Sequence, residues 1–118
     1  MATIKSYTDI EQSKKLAEIL PLESADMRYH TISQYNQYPC DEIVYTIDFG
    51  KPSGIDIPCW SLAALLDVVS EEVSLNSFKD GNWNVMVQQN GKMIYGDKDN
   101  PVDACYEMIK RLNELKML

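Results

Sequence analysis

The chain is sparing with residues that do nucleophilic or metal chemistry: its only histidine is His30, and its three cysteines are Cys40, Cys59 and Cys105. Cys59 is the sharpest of them. It follows Pro58 at the expected start of a helix, where backbone N–H groups would lower a thiol pKa and favour the nucleophilic thiolate. With His30 as base, this thiol would make a small hydrolase. A cysteine beside Trp60 in an apolar run is, however, also the ordinary composition of a core. His30, with Asp26 four residues before it, sits in a stretch that alternates like a half-exposed strand, where a histidine commonly makes one plain hydrogen bond.

The other candidate motifs lack their required parts. Asp97-Lys98-Asp99-Asn100 opens like a calcium loop, but Val102 and Met108 stand where the loop needs glycine and a bidentate glutamate. Gly50-Lys51 and Gly91-Lys92 do not have phosphate-loop spacing and mark turns. The adjacent pairs Asp41-Glu42 and Glu71-Glu72 point apart on a helix or strand, which does not suit shared acid–base work. No catalytic residue, metal ligand or cofactor is expected. Binding residues are the remaining class. Tyr35 and Tyr38, in a polar loop with Pro39, have the character of interface anchors, and Cys59 is kept beside them as a third binding candidate.

These residues must be positioned by seven elements. Thr8-Asp9-Ile10-Glu11 has the spacing of a capping box and predicts a helix that Pro21 ends. Residues 27–33 alternate as a strand. Residues 43–49, rich in β-branched and aromatic side chains, make a stronger one, with Ile43, Tyr45, Ile47 and Phe49 on one buried face. Residues 58–69 are the most apolar run and predict a central buried helix with Pro58 at its first position. Asp80-Gly81-Asn82 is a turn signal. Asn90-Gly91 between two alternating runs is the signature of a two-residue hairpin. It places Val87 opposite Ile94 and Met86 opposite Tyr95, with Trp83, Val85, Val87 and Ile94 facing the core and the apolar Met86, Met93 and Tyr95 on the other face. A last helix has Asn100 as N-cap, Pro101 first and Asp103 in its first turn, and a buried stripe of Val102, Cys105, Ile109 and Leu112, with Met108 and Leu115 beside it.

The expected fold is therefore α+β, a single domain over residues 1–118 in the order αββαββα. Three helices would pack on a mainly antiparallel four-stranded sheet, with partial cover on both faces. At 118 residues, 45% hydrophobic and 25% charged, the chain has an ordinary globular composition. An odd number of widely spaced cysteines argues for reduced thiols. With no secretion signal and no apolar run near the ~20 residues of a membrane span, the expected location is cytoplasmic. The net charge of −7, spread over both halves, disfavours direct contact with nucleic acid or an anionic membrane.

Three segments carry a resemblance: Leu22-Glu23-Ser24-Ala25-Asp26-Met27, Pro58-Cys59-Trp60-Ser61-Leu62-Ala63-Ala64-Leu65-Leu66, and Asn100-Pro101-Val102-Asp103-Ala104-Cys105. Together they resemble a group of short uncharacterised proteins encoded by phages, prophages and mobile elements of gut bacteria. The closing Trp-x-Val hairpin and Asn-Pro-x-x-Ala helix start is also similar to small phage α-β-α sandwich domain proteins. Cys-Trp at a helix start resembles the papain-like cysteine proteases, but their preceding glycine-rich run is absent and His30 comes before Cys59 instead of far after it. The first two likenesses imply a context and a fold; neither brings catalytic residues.

The expected function is that of a non-enzymatic accessory protein of phage or mobile-element origin. It would act by binding another protein or a second copy of itself through an apolar hairpin face. An acidic decoy of a nucleic-acid-binding host protein is the alternative, with the Cys59–His30 hydrolase behind it.

Overall fold

A computed structural model describes residues 5–31, 45–53, 56–69, 72–89 and 91–118. The elements are α1 (Ile10–Ala17), a 3-10 turn (Leu22–Ser24), β1 (Met27–Thr31), β2 (Tyr45–Phe49), β3 (Ile57–Cys59), α2 (Leu62–Val68), β4 (Val73–Ser77), β5 (Trp83–Gln89), β6 (Lys92–Lys98) and α3 (Pro101–Glu114). Among the described residues the fold is α+β with three α-helices, as expected. The single four-stranded sheet is corrected: the described strands form two antiparallel three-stranded sheets, β2-β1-β3 and β4-β5-β6. Backbone contacts divide the chain into two units, Asp9–Trp60 and Met1–Thr8 with Ser61–Leu118.

In the first unit, α1 begins one residue later than the capping-box spacing predicted. Asp9 Oδ1 accepts from the Gln12 N–H at 2.8 Å, and Gln12 Oε1 accepts from the Asp9 N–H at 3.1 Å. Thr8 is buried and is not the cap. α1 packs along β3. The strand pairs Met27↔Phe49, Met27↔Cys59, Tyr29↔Ile47 and Tyr29↔Ile57 put these side chains on one face. Met27, Tyr29 and Cys59 are buried there, whereas Tyr45 and Ile47 are half-buried and Phe49 is 82% exposed. The expectation of a buried β2 face is corrected accordingly. Fully buried Trp60 directs its indole N–H to Ser24 Oγ at 3.0 Å, which satisfies the one polar atom of that side chain.

The predicted helix over residues 58–69 is corrected to Leu62–Val68. Ile57–Cys59 instead forms an edge strand against β1, where a proline costs no ladder bond if its nitrogen faces away. The helix starts at Ser61, whose Oγ accepts from the Ala64 N–H at 3.2 Å.

In the second unit the Asn-Gly hairpin holds in the predicted register, with Val87↔Ile94, Met86↔Tyr95 and Gln89↔Lys92. Gly91 has φ +75°, the left-handed conformation that such a turn demands. α3 starts as read: Asn100 Oδ1 accepts from the Asp103 N–H at 2.8 Å, and Pro101 is the first residue. Its stripe of Val102, Cys105, Met108, Ile109 and Leu112 is buried. Leu115, expected beside that stripe, is 51% exposed.

α3 lies on β6 and β5, and α2 packs on α3. Close approach is possible because β6 carries Gly96. A Cβ at that position would overlap the Ala104 carbonyl oxygen and lie 2.9 Å from the Met108 nitrogen.

Candidate functional site: an open sheet face

Tyr35, Tyr38 and Cys40 lie outside the described residues. Cys59 is fully buried in β3 and lies ahead of the first turn of α2, so the helix-terminal thiol expected from the sequence is corrected. It also lies on the wrong side of the sheet to meet His30. Cys59 pairs with Met27, and His30, three residues along β1, points to the opposite face. The thiol and the imidazole are therefore separated by the sheet. Cys105 is buried in α3, and desolvation pushes its thiol pKa up to about 12. Neither Cys59 nor Cys105 is disulfide-bonded.

His30 shares its face with Arg28, Thr46 and Asp48. Its Nε2 lies 4.0 Å from Asp48 Oδ2, and Arg28 lies 3.9 Å from Asp48 and 4.0 Å from Asp56. Sequence proximity suggested Asp26 as the partner of His30; strand pairing supplies Asp48. Asp56 is bound more firmly, accepting from the Ser53 N–H and hydroxyl at 2.9 Å each. The backbone N–H of Ser53 leads in holding this carboxyl below its ordinary pKa, aided by the Ser53 hydroxyl, Arg28 and His30 against some desolvation. The cluster interleaves opposite charges at long separations. Its one strand-borne hydroxyl is that of Thr46, and among the described residues no group of three or more His, Cys, Asp or Glu side chains could hold a metal ion. It has the makeup of a partly solvated ionic face.

A different kind of surface lies on the second sheet. Strand alternation sends Trp83, Val85, Val87, Ile94 and Gly96 to the side that α3 covers, and the intervening residues to the other. On that other side the register builds three rows across the strands: Asn76–Asn84–Asp97, Ser74–Met86–Tyr95, and Gln88–Met93. Met93 is 56% and Tyr95 47% exposed, and Met86 is half-buried. The expectation that helices partly cover both faces fails for these side chains. Among the eight residues of these rows, only Asp97, at the end of one row, is charged.

The apolar strip continues around the sheet edge. A shallow depression of about 260 Å³ runs between Met93, Tyr95, Arg111, Glu114 and Leu115. A second, of about 210 Å³, lies on the open face between Glu72, Ser74, Met86, Gln88 and Met93. Met93 lines both. Tyr95 is held in place: its carbonyl accepts from Arg111 Nη1 at 2.7 Å, and the guanidinium lies 5.5 Å from the centre of its ring. The sequence placed Met86, Met93 and Tyr95 together on the outer hairpin face. It missed Arg111 and Leu115, because residues from two elements converge there and no local pattern records it.

The chain matches no protein-family model, no curated protein and no solved structure.

Proposed function

We propose that this protein is a non-enzymatic accessory protein, of phage or mobile-element origin, that acts by binding another protein chain through the open face of its second sheet. One observation carries the reading: Met86, Met93 and Tyr95 stand together on a solvent-facing, almost uncharged sheet surface. Exposed methionine and tyrosine with few charges is the composition of an interface core, and isolated exposed apolar residues would not carry the same weight. The separation of Cys59 from His30 adds support, since it leaves the hydrolase alternative without its pair.

The acidic-decoy alternative draws on the net charge of −7. Mimicry of a nucleic-acid backbone needs carboxylates in a row. Among the described strand residues, Asp48 is interleaved with Arg28 and His30, and Asp97 stands at the end of a neutral row.

The test is affinity capture from a bacterial host lysate with the wild-type chain and with Met93→Glu and Tyr95→Glu as baits. Proteins retained by the wild type through a moderate-salt wash and lost from both variants support the binding face. Retention that is equal for all three baits overturns it.

A further inference from the structure

We infer that the open face of the second sheet receives a short basic amphipathic helix of a partner protein; this deepens, and rests on, the reading of that face as a binding surface. Charge carries the choice of partner. The centre of the face, Met86, Met93 and Tyr95, is apolar, and exposed carboxylates stand around it. Val73 pairs with Val87, so Glu72, one residue earlier, extends the Gln88–Met93 row on the β4 side, and it lines the depression there. Asp97 ends the Asn76–Asn84 row on the β6 side, diagonally across the sheet. Glu114 lines the depression at the sheet edge. Arg111, the one cation lining either depression, is engaged by the carbonyl and ring of Tyr95. Lys92 and Lys98 alternate to the α3 side with Ile94 and Gly96. The net charge of −7 on the whole chain acts in the same direction as the three carboxylates. An apolar centre set between carboxylates complements a segment whose apolar stripe is flanked by Lys or Arg.

Size decides the kind of segment. Three strands about 4.8 Å apart and seven or fewer residues long present roughly 14 Å by 20 Å. That is about a third of one partner's share of a standard interface, too little to hold two folded surfaces together. A single helix is about 10 Å across and rises about 1.5 Å per residue, so roughly 14 residues cover the face from end to end. The partner helix would lie on the outer side of β5 and β6 as α3 lies on their inner side. Methionine adapts to apolar side chains of different shape, which suits Met86 and Met93 to such a stripe. Tyr95 is already ordered by Arg111, which reduces the entropy lost on docking.

The probe is a fluorescently labelled Lys–Leu peptide of that length, with Leu at the i, i+3, i+4, i+7 spacing of one helix face. Its anisotropy is followed while the full chain is added to roughly 500 µM. Binding is expected in the micromolar range, weakening as salt rises from about 50 to about 300 mM. A scrambled Lys–Leu peptide without the stripe and a Glu–Leu peptide with it should each bind at least about tenfold more weakly. Combined Glu72→Gln, Asp97→Asn and Glu114→Gln should weaken binding about tenfold, since each exposed ion pair contributes modestly. Combined Glu11→Gln, Glu18→Gln and Glu23→Gln removes the same charge from the first unit and should weaken it less than about twofold. Met93→Ser should cost about fivefold or more. All seven positions are solvent-exposed, so the variants fold, and circular dichroism verifies this. No binding, equal binding of either control peptide, or equal losses from the two triple variants overturns the inference. Absent peptide binding with a self-association that Met93→Ser abolishes in sedimentation equilibrium overturns it in favour of a second copy. Absent peptide binding with lysate captures that still vanish with Met93→Glu removes the basic helix and leaves the binding face standing. Captures that persist with both glutamate variants, without peptide binding, remove the two together.

Discussion

Gly96 of β6 lies directly beneath Ala104 of α3, so close that the Ala104 carbonyl oxygen occupies the place where a Cβ on residue 96 would stand. Strand and helix meet there through backbone, and the buried stripe of α3 can reach Val85 and Val87 only because they do. Gly96→Ala must push the helix off the sheet, an overpacking that costs about 3 kcal/mol. Gly91→Ala, which meets no atom but keeps φ +75°, costs about 1 kcal/mol. Urea unfolding of the two variants should rank them in that order, and equal losses would show that the close approach is not decisive.

The start of α3 is a small polar assembly in which Asn100 caps the Asp103 N–H, and the Asp103 carboxylate takes Asn100 Nδ2 at 2.7 Å and Lys5 Nζ at 2.8 Å. Asn100→Ala should destabilise the protein by about 1 kcal/mol. Lys5 and Asp103 are each about a quarter exposed, so a double-mutant cycle of Lys5→Met with Asp103→Asn should return a coupling of about 0.5 kcal/mol, reduced by salt. A coupling indistinguishable from zero at low salt would mean that this pair does not anchor the N-terminal segment.

Asp56 gives the acid limb of stability a specific origin. Its carboxyl is held below the ordinary value chiefly by the Ser53 N–H, so the folded state keeps it ionised at pH values where the unfolded chain protonates it. The stabilisation is full above the unfolded pKa, about 3.9, and is lost as pH falls through the lower folded value. Asp56→Asn should flatten the decline in stability below about pH 4 and leave its shape near pH 7 unaltered. An unchanged acid limb in that variant would assign the decline to other carboxylates.

Burial should silence the two described thiols. Cys105, with its pKa pushed up to about 12, and Cys59, fully buried, should both resist iodoacetamide at pH 8 in the folded protein and react once urea unfolds it. Peptide mapping by mass spectrometry separates them from Cys40. Rapid modification of Cys59 in the folded chain would contradict its placement in β3 and return weight to thiol chemistry.

Much of the chain was legible before folding was considered. Local chemistry specified the Asn90-Gly91 hairpin, its register, the Asn100–Pro101 helix start and the outer face of Met86, Met93 and Tyr95, because each depends on neighbours within a few residues. The misreadings arose where a tertiary partner overrode local preference. Ile57-Pro58-Cys59 continues an apolar helical pattern into Leu62, yet β1 captures it as a strand and Ser61 takes over the cap. Val73–Ser77 has too few apolar residues to announce itself, and β5 recruits it by pairing. Those two added strands turned an expected four-stranded sheet into two of three. Only the tertiary structure could place Cys59 and His30 on opposite faces, bring Asp48 to His30, and set Arg111 against Tyr95. Within the β5–β6 hairpin and α3 the sequence alone determined which side chains share a face, since alternation and helical period are local; which faces are covered, and which remain open to a partner, depends on strands and helices far apart in the chain.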